Sequence, residues 1–413
     1  MSTPTSDVAV HPARTLIAWR NAVFVIFVLS GISIATWVAR LPTIRDGLEL
    51  STANVGVLIF GMSAGSVVGL IVSPAILARF GPRAGIIFCL SVVAGGLVLI
   101  GVGGDLASTV TIAFVGLMLF GFGNGAVDVM MNVEGAAAER AIGKTLMPLM
   151  HAFFSGGTVL GAGLGAAASG LGVPVFAHLL VMAIIIVVTA VVAVRFIPHD
   201  LDAADAASAA ENAAPRVPWR QKLAASLAVW ADMRLLLIGV VMLGMAFTEG
   251  SANDWIAIAT VDGHGQSNTT GAIVFGVFVT AMTVGRVAGG PLLDRFGRVP
   301  MLRVTAVVGI AGLLLFILST DFWVTVVGAI LWGIGASLGF PVGMSAAADD
   351  EKNSAARVSA VAIVGYTAFL AGPPLLGFLG EHFGILNALY VILALLVLSF
   401  LASPATRERT YAK

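Results

Sequence analysis

The chain has 413 residues, of which 58% are apolar and 11% charged, with 22 basic and 22 acidic side chains. A soluble domain carries about 25% charge, so a soluble enzyme, a nucleic-acid binder and a disordered chain all fit poorly: polar surface is scarce and there is no basic excess. The single cysteine, Cys89, argues against a disulfide framework or a cysteine-cluster metal site. The composition is that of a polytopic membrane protein.

A membrane helix needs about 20 mostly apolar residues. Hydropathy marks twelve such stretches, near 21–39, 53–77, 84–103, 108–136, 146–170, 174–196, 234–258, 269–292, 301–319, 322–346, 356–379 and 384–403. The first does not read as a cleaved signal peptide, because its charged lead is long and no small-residue cleavage site follows cleanly. Span one carries Ser30, Ser33, Trp37 and Arg40 on one helical face. Trp37 suits stacking on a flat solute or an interfacial aromatic belt; Arg40 suits an anion or snorkelling. Span two holds Gly61, Gly65 and Gly69, a stripe that lets helices approach closely. Its Gly61-Met62-Ser63-Ala64-Gly65 matches a hydrolase elbow but lies inside an apolar helix, with no strand before it.

Span four carries Asn124, Asp128 and Asn132 at four-residue spacing, a polar stripe on an apolar helix. An ionisable group inside a span costs at least about 2.5–3.5 kcal/mol, so Asp128 is read as a proton carrier facing a cavity. A structural hydrogen bond is the competing reading. Glu134, near Glu139 and Arg140, reads as an interfacial salt bridge. Span five begins with His151, a candidate proton relay or packing histidine, and carries a second stripe, Gly157, Gly161 and Gly165. Its dinucleotide-like Gly161–Ala166 run lacks the strand that such a site needs. His178 in span six reads as structural. A polar stretch, 197–233, reads as a linker with an amphipathic helix around 219–230. In span seven Glu249 and Asn253 share a face, Gly250 suggests a gating break, and Asp254 is placed close to the outer surface. Arg286 reads as an anchor at the end of span eight, and Tyr366 in span eleven as a cavity wall.

Nineteen of the 22 Lys and Arg fall in the termini and alternate loops on one side. Arg40 and Arg45 lie opposite, and Arg286 lies within span eight. That bias predicts cytoplasmic termini.

The two halves repeat weakly. Arg79-Phe80-Gly81 matches Arg295-Phe296-Gly297, and Gly121-Phe122-Gly123 matches Gly333-Ile334-Gly335, a hallmark of transporters whose bundles rock about a central site. The run Gly290-Pro291-Leu292-Leu293-Asp294-Arg295-Phe296-Gly297-Arg298 resembles the signature of the major facilitator superfamily. The first copy keeps Arg79, Gly81 and Arg83 but has Ala78 where an acid is expected. The resemblance implies alternating access, with Asp294, Arg295, Gly297, Arg298, Arg79, Gly81 and Arg83 as gating residues and spans two, five, eight and eleven between the halves. Trp37–Pro42, Asp128–Asn132 and His151–Gly157 resemble a bacterial branch related to fucose–proton symporters, which implies proton coupling at Asp128 beside Asn132. Val38 stands where the fucose permease has an aspartate, which counts against fucose itself. Ala162 replaces the proline of the antiporter motif, which favours symport or facilitation over drug–proton antiport.

The expectation is therefore an all-α membrane protein of twelve transmembrane helices in two pseudo-symmetric six-helix bundles, 1–196 and 234–413, joined by 197–233. It would be a monomeric secondary transporter of a bacterial-type inner membrane, without cofactor, metal or nucleic-acid partner. Proton-coupled uptake of a small polar, sugar-like solute is the first reading; efflux of amphiphiles and a non-transporting sensor are the alternatives. Asp128, Glu249 and His151 are the proton-coupling candidates, and Trp37, Arg40, Asn124, Asn132, Asn253 and Tyr366 the solute-binding ones.

Overall fold

The computed structural model describes residues 13–143, 146–198, 229–349 and 354–408. Most of the expected linker and of its amphipathic helix lies outside the described residues. Among those residues eleven helices are long and apolar enough to cross a membrane. One of them, Thr52–Gly101, has 50 residues, about 75 Å at 1.5 Å per residue, against a hydrocarbon core of about 30 Å. It breaks at Gly81, where φ is 70° and ψ 175°, so it is two spans and the total is twelve.

We number the spans α1 (Ala13–Val38), α2 (52–80), α3 (82–101), α4 (Val110–Ile142), α5 (Met147–Gly170), α6 (Val175–Ala193), α7 (Met233–Ile258), α8 (Asn268–Phe296), α9 (Arg298–Leu318), α10 (Phe322–Ala336 with Gly339–Ala347), α11 (Ser354–Phe383) and α12 (Tyr390–Ala402). Several helices outrun their apolar stretches, because polar residues carry the backbone ladder past the hydrocarbon. α4 continues through Glu139 and Arg140 until Gly143, at φ 69°, ends it. Gly250 does not break α7, which is continuous there; a β-carbon at Gly250 would lie 2.5 Å from the Phe369 ring, so the glycine makes room for α11. The interruption comes instead in α10, at Ser337–Leu338.

The repeat seen in sequence is a repeat of structure. Gly297 has the same backbone conformation as Gly81, φ 79° and ψ 168°. Neither would clash through a β-carbon, so the turn geometry is what favours glycine. Ser51 caps α2 by accepting the Asn54 N–H, and Ser267, 216 residues on as Gly297 is from Gly81, caps α8 by accepting the Thr270 N–H. A β-carbon at Gly121 would strike Met62 of α2 and one at Gly123 Cys89 of α3; at Gly333 and Gly335 the obstacles are Phe278 of α8 and Gly309 of α9. The same pair of contacts is made in both bundles.

The glycine stripes do not lie between the halves. Gly61, Gly65 and Gly69 pack on Phe114, Met118 and Phe122 of α4, and Gly157, Gly161 and Gly165 on Val28, Ile32 and Ala39 around the end of α1. They are packing seams within the first bundle. The halves meet through other residues of the expected helices: Gly56 of α2 lies against Pro373 and Gly377 of α11, and Ala162 of α5 against Gly276 of α8.

The cross-half bonds are asymmetric. Arg45 pairs with Asp262, Asn268 donates to Asp46 at 2.7 Å, the Ala53 N–H to Glu381 at 3.3 Å, and Ser169 and Thr269 share a bond of 3.0 Å. All four lie on the face opposite the chain termini. Ser63 donates to the Phe369 carbonyl deeper in, at 3.2 Å. Among the described residues no hydrogen bond joins the halves at the terminus-bearing face.

Candidate functional site

Between the bundles lies a cavity of about 230 Å³, walled by α1, α2, α7 and α11. From the first half come Trp37, Ser63 and Ser66; from the second, Asn253, Asp254, Tyr366 and Phe369. Apolar side chains make up most of the remainder, the usual form of a small-molecule site.

Trp37 reaches this wall, fully buried and edge-on to Phe120 at 6.1 Å. Asn253 and Tyr366 reach it as expected. Asn124, Asp128 and Asn132, expected to face a cavity, do not line this wall; the stripe is tied together instead, Asn132 donating to the Asp128 backbone carbonyl at 2.8 Å and approaching its carboxylate at 3.4 Å. Ser30 donates to Asn124 at 3.2 Å, linking α1 to α4. His151 packs edge-on against Phe27 at 5.3 Å, and Arg286 of the other half acts on it electrostatically.

Arg40 is absent from the cavity wall. It is 3% exposed and donates to the Val173 carbonyl at 2.7 Å, sealing the loop between α5 and α6. Burial pulls its guanidinium below the ordinary arginine range, opposed by Asp105. Arg286 is more than an end anchor: it forms an ion pair with Glu249 inside the second bundle and donates to the Ser337 carbonyl at 3.3 Å, beside the break in α10. Glu249 is thereby a charge-paired group. Glu134 makes no salt bridge with Arg140; it is buried and accepts a 3.0 Å bond from the Trp19 indole.

Asp254 is the residue that sequence reasoning misplaced. It is 8% exposed and lines the cavity. Gly250, Asn253 and Asp254 share one face, at i, i+3 and i+4, a spacing visible in the sequence once Gly250 is counted.

The repeated Arg-Phe-Gly turns both stand on the terminus-bearing face. The Arg79 guanidinium is 5.7 Å from the Phe80 ring and that of Arg295 5.3 Å from Phe296. Arg83 donates to the Ile197 carbonyl, and Arg298 to Asp349 at 2.9 Å and to Ser345 at 2.9 Å. Asp294 is exposed and makes no hydrogen bond or ion pair among the described residues.

Comparison with known proteins points one way. The model of the Major Facilitator Superfamily matches residues 250–412. A transporter of Sinorhizobium fredii is 28% identical over 374 residues, 89% of this chain and 92% of its own. An MFS-type transporter of Yersinia pestis is 26% identical over 98% of both chains. The membrane protein MosC of Rhizobium meliloti is 25% identical, covering 97% of this chain and 92% of its own. Among solved structures, a variant of the nucleoside transporter NupG superposes with a TM-score of 0.75 at 14% identity, over 95% of this chain and 99% of its own. An inward-facing bacterial homologue of the lysosomal transporter Spinster gives 0.69 at 13%, over 97% and 100%. FucP in its outward conformation gives 0.63 at 15%, over 96% and 100%.

Proposed function

We propose that the chain is a secondary transporter of the major facilitator superfamily and that it takes up a small polar solute together with protons. The observation that carries this reading is the position of Asp128. It sits in mid-helix on α4, bonded to Asn132 one turn on, and makes no ion pair among the described residues. A carboxyl held inside a bundle that moves against its partner can change surroundings as the two rock, which is what a coupling group requires. Proton and solute that favour the same occluded state are thermodynamically linked, each raising the other's affinity.

The distribution of Lys and Arg favours cytoplasmic termini in a bacterial-type inner membrane. The face that carries the cross-half bonds is then the outer one. Glu249, paired with Arg286, serves this reading better as a structural charge pair than as a proton carrier, and His151 remains a candidate relay at the seam.

The test is transport in proteoliposomes with and without an inward proton gradient. Asp128→Asn is expected to abolish accumulation above equilibrium while leaving solute counterflow measurable. Accumulation that survives the substitution removes Asp128 from coupling. The largely apolar cavity wall favours a second reading, proton-driven efflux of amphiphiles, which reverses the sign of the pH change on adding solute.

A further inference from the structure

Asp254 is the one charged side chain in the cavity wall among the described residues. It accepts no hydrogen bond and meets no cation there. The nearby arginines are engaged elsewhere: Arg286 on Glu249, Arg45 on Asp46 and Asp262, and Arg40 on the Val173 carbonyl. Glu249 is neutralised by its partner. The protein thus surrounds Asp254 with an amide, a hydroxyl and aromatic faces but no positive charge. A buried carboxylate without a counter-charge is costly, and an anionic solute would make it worse.

A cation carried by the solute removes the imbalance. We infer that Asp254 is the anionic subsite for a small solute bearing a protonated amine, with the Asn253 amide beside it and the rings of Trp37 and Phe369 flanking the ammonium. Aromatic faces attract a desolvated ammonium through the ring quadrupole, so the wall recognises the amine even where it offers few hydrogen bonds. The assignment rests on the transport reading only in taking this cavity as the solute's.

The experiment uses the purified full-length protein and matched probes that differ in charge: glucosamine, glucose and gluconate, and ethanolamine, ethylene glycol and glycolate. Thermal stabilisation and equilibrium binding are expected for the amine member of at least one set and not for its neutral or acidic counterparts. Asp254→Asn is expected to weaken that binding by about 30-fold or more, the loss typical of truncating one partner of a buried charge pair. The comparison within each set is made on the unmodified protein, so it stands even if a variant fails to fold. Equal binding of neutral or acidic members, amine binding that survives Asp254→Asn, or a panel in which no amine binds overturns the assignment. An amine that binds through Asp254 but shows no counterflow in proteoliposomes overturns the transport reading instead.

Discussion

The ion pair of Arg45 with Asp262 joins the two bundles at the face opposite the termini and should hold that face shut. The Arg45 side chain is 11% exposed and that of Asp262 33%. Exposed pairs contribute about 0.2–1 kcal/mol, and breaking a fully buried pair costs about 3–5 kcal/mol; this half-buried pair falls between, near 1.5–2 kcal/mol. Removing Arg45 also leaves Asp46, Glu49, Asp262 and Glu381 around one vestibule without their cation. The pair spans the two halves, so opening this face breaks it, and its loss transfers directly to the opening equilibrium. Each 1.4 kcal/mol is tenfold, so Arg45→Gln should raise the open population about 10- to 30-fold. The chain suits a thiol assay, because Cys89 is its only cysteine and is fully buried. A Ser66→Cys reporter in the cavity wall would be labelled by a membrane-impermeant maleimide added from outside. With opening as a fast pre-equilibrium, labelling should accelerate at least about tenfold in Arg45→Gln and return toward the original rate in the exchange Arg45→Asp with Asp262→Arg. An unchanged or slower rate in Arg45→Gln would refute the latch.

Three further outcomes follow from particular contacts. Arg286→Met should destabilise the protein by about 1.5–2 kcal/mol by stranding the half-buried Glu249, and Arg286→Met with Glu249→Leu should recover most of that in thermal unfolding; a double variant no better than the single one counts against it. Gly81→Ala and Gly297→Ala should each cost about 1–2 kcal/mol because both backbones sit at positive φ, whereas Gly95→Ala, in open space on a helix, should be neutral or stabilising; equal effects at all three would contradict the backbone argument. At the start of α7, a hydrogen bond from Arg357 holds the Asp232 carboxyl below its ordinary value, with help from the Arg234 N–H. A depressed carboxyl contributes stability above its unfolded pKa of about 3.9 and loses it as pH falls through the lower folded value. The gap in melting temperature between the wild type and Asp232→Asn should therefore hold from neutral pH to about 5 and close below about 4; a gap that widens on acidification would be the wrong sign.

Topology was readable because it is written in one dimension. Apolar runs of fixed length and a one-sided cation distribution determine twelve spans, and the Arg-Phe-Gly repeat marks the two turns where positive φ is needed. Partnership between helices is not written that way. A glycine stripe announces close approach but not to which helix, and the stripes of α2 and α5 turned out to serve α4 and α1. Glu249 and Arg286 are 37 residues apart on different helices, and neither sequence neighbourhood names the other. Asp254 looked superficial because the apolar run stops soon after it, but the helical backbone continues as a further turn, Ala259–Gly263, which puts Asp254 deeper than hydropathy suggests. Arg40 looked available because it is the first charge after span one; the loop carbonyl of Val173 that engages it lies 133 residues away.

A proton moving with the solute is the defining event of the proposed transport cycle. In proteoliposomes carrying the protein, with weakly buffered medium and an external pH dye, adding solute outside should alkalinise the medium as protons follow it inward, and Asp128→Asn should abolish that signal while counterflow persists. Solute entry with no pH change, or with acidification of the medium, would contradict it.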